Sequence, residues 1–410
     1  MVAIVVHRVL EVKMVLSISL IIILSIPIIS LFEKLRLPGL IGLIFLGVLL
    51  GPQILNLIDN SLLDVSSEIR LLALIVILLR AGLGLDRKTV KKIGPLALRM
   101  SFLPGVFEGF SIMFFAQWLG LDLVKGGMLG FIIAAVSPAV VVPEMLRFKE
   151  SDMGKDKEVP STILAAASVD DVVAITIFTA FLGIDKGQNI NVVTAVASVP
   201  LEIALGIGAG ALIGFLFALL FKKFHMRDTK KVLLVLSSAF IFHQLENYMP
   251  VASLLGVMAI GFMLREKLPV AAERLAGKME RVWVLAEVFL FVLVGASVSI
   301  NAINNSWQKG IVVIILGLLF RSLGVAVSTL GSKLNLHERP FCMVSYIPKA
   351  TVQAAVGGIP LAMGVAYGDV ILSVSVLSII ITAPLGAIGI RYIGPRTLKK
   401  TAHCENRSAL

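Results

Sequence analysis

Charged residues are scarce in this chain of 410 residues, and the scarcity narrows its class. Asp, Glu, Lys and Arg make up 15% of the sequence, against about 25% in ordinary globular chains. Hydrophobic residues reach 58%, above the roughly 45–50% of soluble domains. Apolar stretches of about 20 residues, each long enough to cross a bilayer core as a helix, recur along the chain. The composition therefore excludes a sizeable soluble domain and predicts an all-α polytopic membrane protein.

Cysteine is nearly absent as well. Cys342 lies in an apolar stretch and Cys404 in the tail, so a disulfide framework is excluded. The sequence also lacks an HExxH motif, a P-loop and a Ser-His-Asp context, and we expect neither an enzyme nor a resident cofactor. A glycine-rich run at 206–214 lies inside an apolar span and predicts a helix-packing face. The apolar run at 14–32 is followed by charged residues, so we interpret it as a first span and not as a signal peptide.

The net charge of +11 does not indicate a nucleic-acid partner, because Lys and Arg cluster in alternate short loops. That alternation records membrane topology, and the basic loops are expected on the cytoplasmic side. We therefore predict a multi-pass protein of the cell (inner) membrane, with the N-terminus outside and the C-terminus cytoplasmic. About 13 transmembrane helices fit the pattern. Their expected limits are 14–32, 38–57, 69–85, 93–119, 127–147, 161–183, 198–221, 231–247, 251–264, 279–299, 310–331, 340–359 and 368–390.

Two of these spans are interrupted in matching places. Residues 137–143 read SPAVVVP and residues 347–351 read IPKAT. Proline removes a helical hydrogen bond, so we predict helix breaks at Pro138, Pro143 and Pro348. The interruptions lie in the fifth and twelfth spans, and this odd offset of seven predicts inverted repeats with a binding site near the bilayer midplane. One proline alone would equally fit an ordinary kink.

The interruptions offer ligands and dipoles to a bound ion. Prolines at 138 and 143 free the carbonyls of Ala134 and Ala139, and these oxygens and the Ser137 hydroxyl are hard ligands suited to Na⁺ or Li⁺. Half-helix ends carry partial charges of about half a unit. Lys349, directly after Pro348, is placed to neutralise carbonyl ends.

The strongest functional signal is the pair Asp170 and Asp171, in the middle of an apolar span with the sequence ASVDDVVA. A charge at that depth costs on the order of 3 kcal/mol, and burial and mutual repulsion both disfavour the doubly charged form. The pair should titrate in coupled steps. A cation between the carboxylates relieves the same repulsion as protons do, so ion and proton would compete for one site. A helix-capping pair is the alternative, against which the apolar flanks argue.

Glu108 and Arg321 are lone charges in apolar runs, and their offset nearly equals that of the two interruptions. This predicts a buried ion pair between symmetry-related helices. Arginine stays protonated in proteins, so Arg321 cannot carry the proton and the aspartates are the expected carriers. The pair could be a static structural contact or a part of the transport cycle.

Four segments together resemble a known family: ASVDDVV, SPAVVVP, IPKATVQAA and LLRAGLGLD. They are similar to the monovalent cation:proton antiporter superfamily, in particular the double-aspartate branch that includes NHA-type sodium/proton exchangers. The resemblance implies the sodium/proton antiporter fold with two crossed broken helices. It also implies a homodimer in which six-helix core domains move against a dimerisation domain in an elevator-like cycle.

The resemblance also implies roles for individual residues. Asp170 and Asp171 match the ion-binding pair, and Lys349 matches the charge that compensates the half-helix dipoles. Arg321 matches a basic residue that is Lys in many electrogenic relatives, with Glu108 as its partner. The implied organisation is dimerisation helices at 1–92, the first half of the core at 93–185, a linker helix at 186–222, dimerisation helices at 223–300, the second half of the core at 301–395 and a cytoplasmic tail at 396–410.

We therefore predict a secondary antiporter that exchanges Na⁺ or Li⁺ for H⁺ by alternating access, with monovalent cations, protons and the lipid bilayer as its partners. A K⁺/H⁺ antiporter is the first alternative. A cation channel is more distant, since it would conduct without obligatory proton counterflow. An intramembrane aspartyl protease would need its two carboxylates on separate helices, and here they are neighbours on one.

Overall fold

The computed structural model describes residues 2–35, 37–85, 87–187, 192–245, 248–249, 251–298 and 300–399. Every regular element in these ranges is helical, which confirms the all-α fold class. The helices are α1 Val2–Lys34, α2 Gly39–Leu50, α3 Asn60–Asp64, α4 Ser66–Gly84, α5 Arg87–Phe115, α6 Leu123–Ala134, α7 Pro138–Glu150, α8 Val159–Asp185, α9 Val192–Lys223, α10 Asp228–Gln244, α11 Ser253–Lys267, α12 Pro269–Ala296, α13 Ile300–Ser328, α14 Arg339–Ser345, α15 Thr351–Val356, α16 Ile359–Ala362 and α17 Gly368–Thr397.

Each predicted span overlaps at least one of these helices. Six stretches in the described ranges are long and apolar enough to cross a membrane. They are Lys13–Lys34, Pro95–Leu119, Val159–Asp185, Leu201–Lys223, Trp307–Ser328 and Gly368–Thr397. Shorter apolar helices include Gly39–Leu50 and Leu123–Ala134. The number of about 13 crossings stays a prediction.

Glycine lets several helices pack backbone to backbone. A Cβ at Gly210 on α9 would lie 2.1 Å from the carbonyl oxygen of Gly256 on α11, so the predicted packing face at 206–214 is confirmed. A Cβ at Gly324 on α13 would lie 2.7 Å from the Cα of Pro104 on α5. Close approach through small residues is the usual way that membrane helices associate, and it fixes α5 against α13.

The two predicted interruptions meet inside the bundle. Helix α6 ends at Ala134 and α7 begins at Pro138, while α14 ends at Ser345 and α15 begins at Thr351. The Ser137 N–H donates a hydrogen bond of 2.8 Å to the carbonyl oxygen of Pro348. Extended segments from two distant parts of the chain therefore touch where both helices are broken.

The prolines behave differently from one another. Pro138 is the first residue of α7, a position where its missing N–H costs nothing, and Pro348 lies in the non-helical segment before α15. The predicted break at Pro143 is wrong, because α7 continues past this position to Glu150. A proline removes a single helical hydrogen bond, and a helix can continue through it with a kink.

Candidate ion-binding site

Asp170, in the middle of α8, lies directly against the first interruption and is buried. Its Oδ2 accepts hydrogen bonds from the Val136 N–H at 3.0 Å and from Arg321 Nη2 at 2.7 Å. Its Oδ1 is buried and has no hydrogen-bond partner among the described residues. A Cβ at Gly105 on α5 would lie 2.9 Å from this oxygen, so the absence of a side chain there leaves room for the carboxylate.

Asp171 is equally buried, at 3% exposure, but its surroundings differ. Its Oδ1 has no hydrogen-bond partner in the part of the chain that the structure describes. Within the same part, Asp171 makes no ion pair, whereas Asp170 pairs with Arg321. Burying a carboxylate without a counter-ion costs free energy. Asp171 is therefore the group of this site that a bound proton or cation would stabilise most.

Glu108 on α5 joins the two buried cations. Its Oε2 lies 2.6 Å from Arg321 Nη1 and 2.6 Å from Lys349 Nζ. The predicted Glu108–Arg321 pair is therefore present, with Lys349 as an additional partner. Arg321 also bridges to Asp170, and its guanidinium lies 5.1 Å from the ring centroid of Tyr346. The network connects helices α5, α8 and α13 with the second interruption.

Two side-chain or backbone groups of the site contact partners other than those predicted from the sequence. The Ala134 carbonyl, expected as a cation ligand, accepts a hydrogen bond from Arg321 Nη1. The Lys349 ammonium, expected near helix carbonyls, binds the Glu108 carboxylate, because a charge-assisted bond to an anion is stronger than one to a neutral carbonyl. The Ser137 hydroxyl is buried and has no partner within the described ranges, so it remains available as a ligand.

Sequence reasoning missed Gln353, on α15. This side chain is fully buried, and its Nε2 donates to the carbonyl oxygens of Ile132 at 2.9 Å, Ile133 at 3.2 Å and Ala135 at 2.8 Å. It therefore caps the carboxyl end of α6 from the other broken helix. The available signal was a lone amide in an otherwise apolar half-helix, within IPKATVQAA.

The charges of the site do not cancel. Three buried carboxylates, those of Glu108, Asp170 and Asp171, face two buried cations, those of Arg321 and Lys349. With every group ionised, three negative and two positive charges leave a net charge of −1. A single proton or a single monovalent cation would neutralise the site.

A cavity of about 430 Å³ approaches the first interruption from the side predicted to be cytoplasmic. Its lining includes Val140, less than one helical turn after Ser137, together with Glu144, Glu287 and Arg391. On the other side, the guanidinium of the buried Arg70 on α4 packs against Gly358, just after α15, where a Cβ would lie 2.9 Å from it.

The arrangement of helices is that of a known class of membrane carrier. The structure of the sodium proton antiporter MjNhaP1 from Methanocaldococcus jannaschii at pH 8 matches this one with a TM-score of 0.81 and 20% sequence identity. The match covers 93% of this chain and 97% of that chain. At this identity the similarity shows the antiporter fold.

Sequence similarity narrows the class to a family. Residues 19–394 match the model of the protein family described as "Sodium/hydrogen exchanger, transmembrane". Sodium/hydrogen exchanger 9B2 of Homo sapiens is 34% identical over 388 residues, covering 90% of this chain and 71% of that protein. Sodium/hydrogen exchanger 9B1 of Mus musculus is 32% identical over 382 residues, covering 89% of this chain and 67% of that protein. The chain belongs to the sodium/hydrogen exchanger family, which confirms the predicted superfamily of monovalent cation:proton antiporters.

Proposed function

We propose that this protein exchanges Na⁺ or Li⁺ for H⁺ across a membrane, with Asp170 and Asp171 as the shared site. The observation that carries the proposal is the buried Asp171 carboxylate, which has no ion pair in the described structure, beside an Asp170 that is anchored to Arg321 and to the broken helix. An uncompensated charge is expensive to move through a bilayer. The site therefore has to bind a proton or a cation before it crosses, and this requirement couples the two fluxes.

The net charge of −1 supports a one-for-one exchange. One Na⁺ or one H⁺ neutralises the three carboxylates and two cations, and Arg321 holds its own proton throughout. Because the two ions compete, lower pH should raise the KM for Na⁺ without changing the maximal rate.

The movement that we propose is alternating access. Core helices at 93–185 and 301–395 would carry the site past dimerisation helices at 1–92 and 223–300, connected by the linker helix at 186–222, in a homodimer. The cavity on the predicted cytoplasmic side and the packing of Arg70 on Gly358 at the other side support an inward-open arrangement. We also propose the cell (inner) membrane as the location, with the N-terminus outside and the tail at 396–410 in the cytoplasm.

The test is proton flux in proteoliposomes, read with an internal pH-sensitive dye after a Na⁺ or Li⁺ gradient is imposed. The parent protein should move protons against the cation, and the double variant Asp170→Asn/Asp171→Asn should not. Asp185→Asn, at the end of the same helix and only partly buried, is the matched control and should retain exchange. Na⁺-driven proton flux at the parental rate in the double variant would overturn the assignment.

The same vesicles distinguish the alternatives. Proton flux driven by K⁺ but not by Na⁺ would identify a K⁺/H⁺ antiporter. Cation current without proton counterflow would identify a channel.

A further inference from the structure

The carboxyl end of α6 lies inside the protein, beside the ion site. A helix leaves its last four carbonyl oxygens without helical partners, and its end carries a partial negative charge of about half a unit. The Ala134 carbonyl and the Asp170 carboxylate share the Arg321 guanidinium, and the Val136 N–H donates to Asp170. This helix end and the aspartates therefore belong to one electrostatic site.

Four consecutive carbonyl oxygens at this end, those of residues 132–135 (Ala135 directly follows α6), are hydrogen-bonded by side chains from other elements. Arg321 binds the carbonyl of Ala134, and the single amide of Gln353 binds those of Ile132, Ile133 and Ala135. The Gln353 side chain is neutral, so it satisfies three oxygens without changing the net charge of −1. Without this amide, three carbonyl oxygens and the partial negative charge of the helix end would face a site that is already anionic. These oxygens would then form a second place that can hold a cation.

We propose that Gln353 determines cation selectivity by closing the carbonyl end of α6 to the transported ion, an inference that rests on the proposed exchange function. With these oxygens occupied, the cation is left to the carboxylates of Asp170 and Asp171 and the Ser137 hydroxyl. Carbonyl oxygens are the ligands of K⁺-selective filters, whereas carboxylates exert a stronger field on smaller ions. Gln353 therefore acts as a positioning residue that favours Na⁺ and Li⁺ over K⁺.

The experiment compares Gln353→Met and Gln353→Glu with the parent in proteoliposomes, measuring kcat/KM for proton flux with Na⁺, Li⁺ and K⁺ separately. Methionine has similar length and no donor, so the preference for Na⁺ over K⁺ should fall by about tenfold, which corresponds to about 1.4 kcal/mol of differential binding. Glutamate has the same shape and donates only while protonated. Its Na⁺ over K⁺ preference should therefore approach that of the parent at low pH and fall as pH rises.

Ser375→Ala is the matched control, because this serine is fully buried, lies on α17 and, among the described residues, bonds only within its own helix. It should lower stability without changing the ion preference. The proposal is overturned if both Gln353 variants keep the parental Na⁺ over K⁺ ratio at every pH, or if neither folds, since the amide would then be only a structural cap. Absence of any cation-driven proton flux in the parent would instead overturn the proposed function.

Discussion

Asp170 and Asp171 are neighbours in sequence, yet the structure gives them different surroundings. One is held by Arg321 and a backbone N–H, and the other has no ion pair in the described part of the chain. Removing one partner of a buried ion pair typically costs about 3–5 kcal/mol, whereas removing an unpaired buried charge should cost little. The same Asp→Asn substitution should therefore have opposite structural consequences at adjacent positions.

We expect Asp171→Asn to abolish exchange while keeping or raising the melting temperature, and Asp170→Asn to abolish exchange and lower it. Thermal unfolding of the detergent-solubilised protein, followed by tryptophan fluorescence, measures the difference. Asp185→Asn again serves as the control. Equal losses of stability in the two variants would contradict the distinct environments of the carboxylates.

Gly105 supports the site by having no side chain. An added Cβ would lie 2.9 Å from Asp170 Oδ1, and this carboxylate cannot retreat freely because Arg321 and the Val136 N–H hold its other oxygen. We expect Gly105→Ala to raise the KM for Na⁺ by about 10- to 100-fold, the effect of a small displacement of a binding group. Gly208→Ala, in open space on α9, should leave the KM unchanged, and an unaltered KM in Gly105→Ala would contradict the contact.

At the scale of elements, the network depends on Glu108 connecting α5 to Arg321 on α13 and to Lys349 before α15. Glu108→Gln removes one negative charge, so the net charge of the site rises from −1 to zero. The site would then need neither a cation nor a proton to cross, and we expect exchange to be lost.

A compensating substitution separates charge from geometry. The double variant Glu108→Gln/Lys349→Met removes one charge of each sign and returns the site to −1, while Arg321 keeps its contact with Asp170. We expect proton flux in proteoliposomes to recover at least in part. If the folded double variant is as inactive as Glu108→Gln, the net charge is not what governs coupling.

Some helix breaks and contacts could be predicted from the sequence alone, and others could not. Pro138 and Pro348 mark the two interruptions because proline cannot continue the preceding helical hydrogen bonds. The break expected at Pro143 is absent, since α7 continues past this position to Glu150. Proline spacing likewise predicts a free Ala134 carbonyl and does not reveal its partner, because the Arg321 side chain that binds this oxygen comes from a helix distant in sequence. A lone amide such as Gln353 can be noticed in an apolar half-helix, but its role cannot be assigned until the facing carbonyl oxygens are located.

Over the whole molecule, the alternation of basic loops and apolar spans predicted the fold class, since membrane segments must satisfy their backbone hydrogen bonds internally. The buried Glu108–Arg321 pair was also predicted, from two lone charges at a matching offset. The additional bonds of Arg321 to Asp170 and of Lys349 to Glu108 were not, because several acceptors were available and only the packed structure selects among them.

The net charge of the site predicts how the proposed exchange responds to the membrane potential. A site of charge −1 that carries one Na⁺ in one direction and one H⁺ in the other would be neutral both ways, so the membrane potential would do no net work on the proposed cycle. An exchange of two protons for one cation would move one charge per cycle, and 100 mV would then bias it by about 2.3 kcal/mol. We expect Na⁺-driven proton flux in proteoliposomes to keep the same direction and rate when a potential is set with K⁺ and valinomycin, and no charge movement on solid-supported membranes. Na⁺ uptake driven by an imposed potential alone would contradict a site neutralised by a single charge.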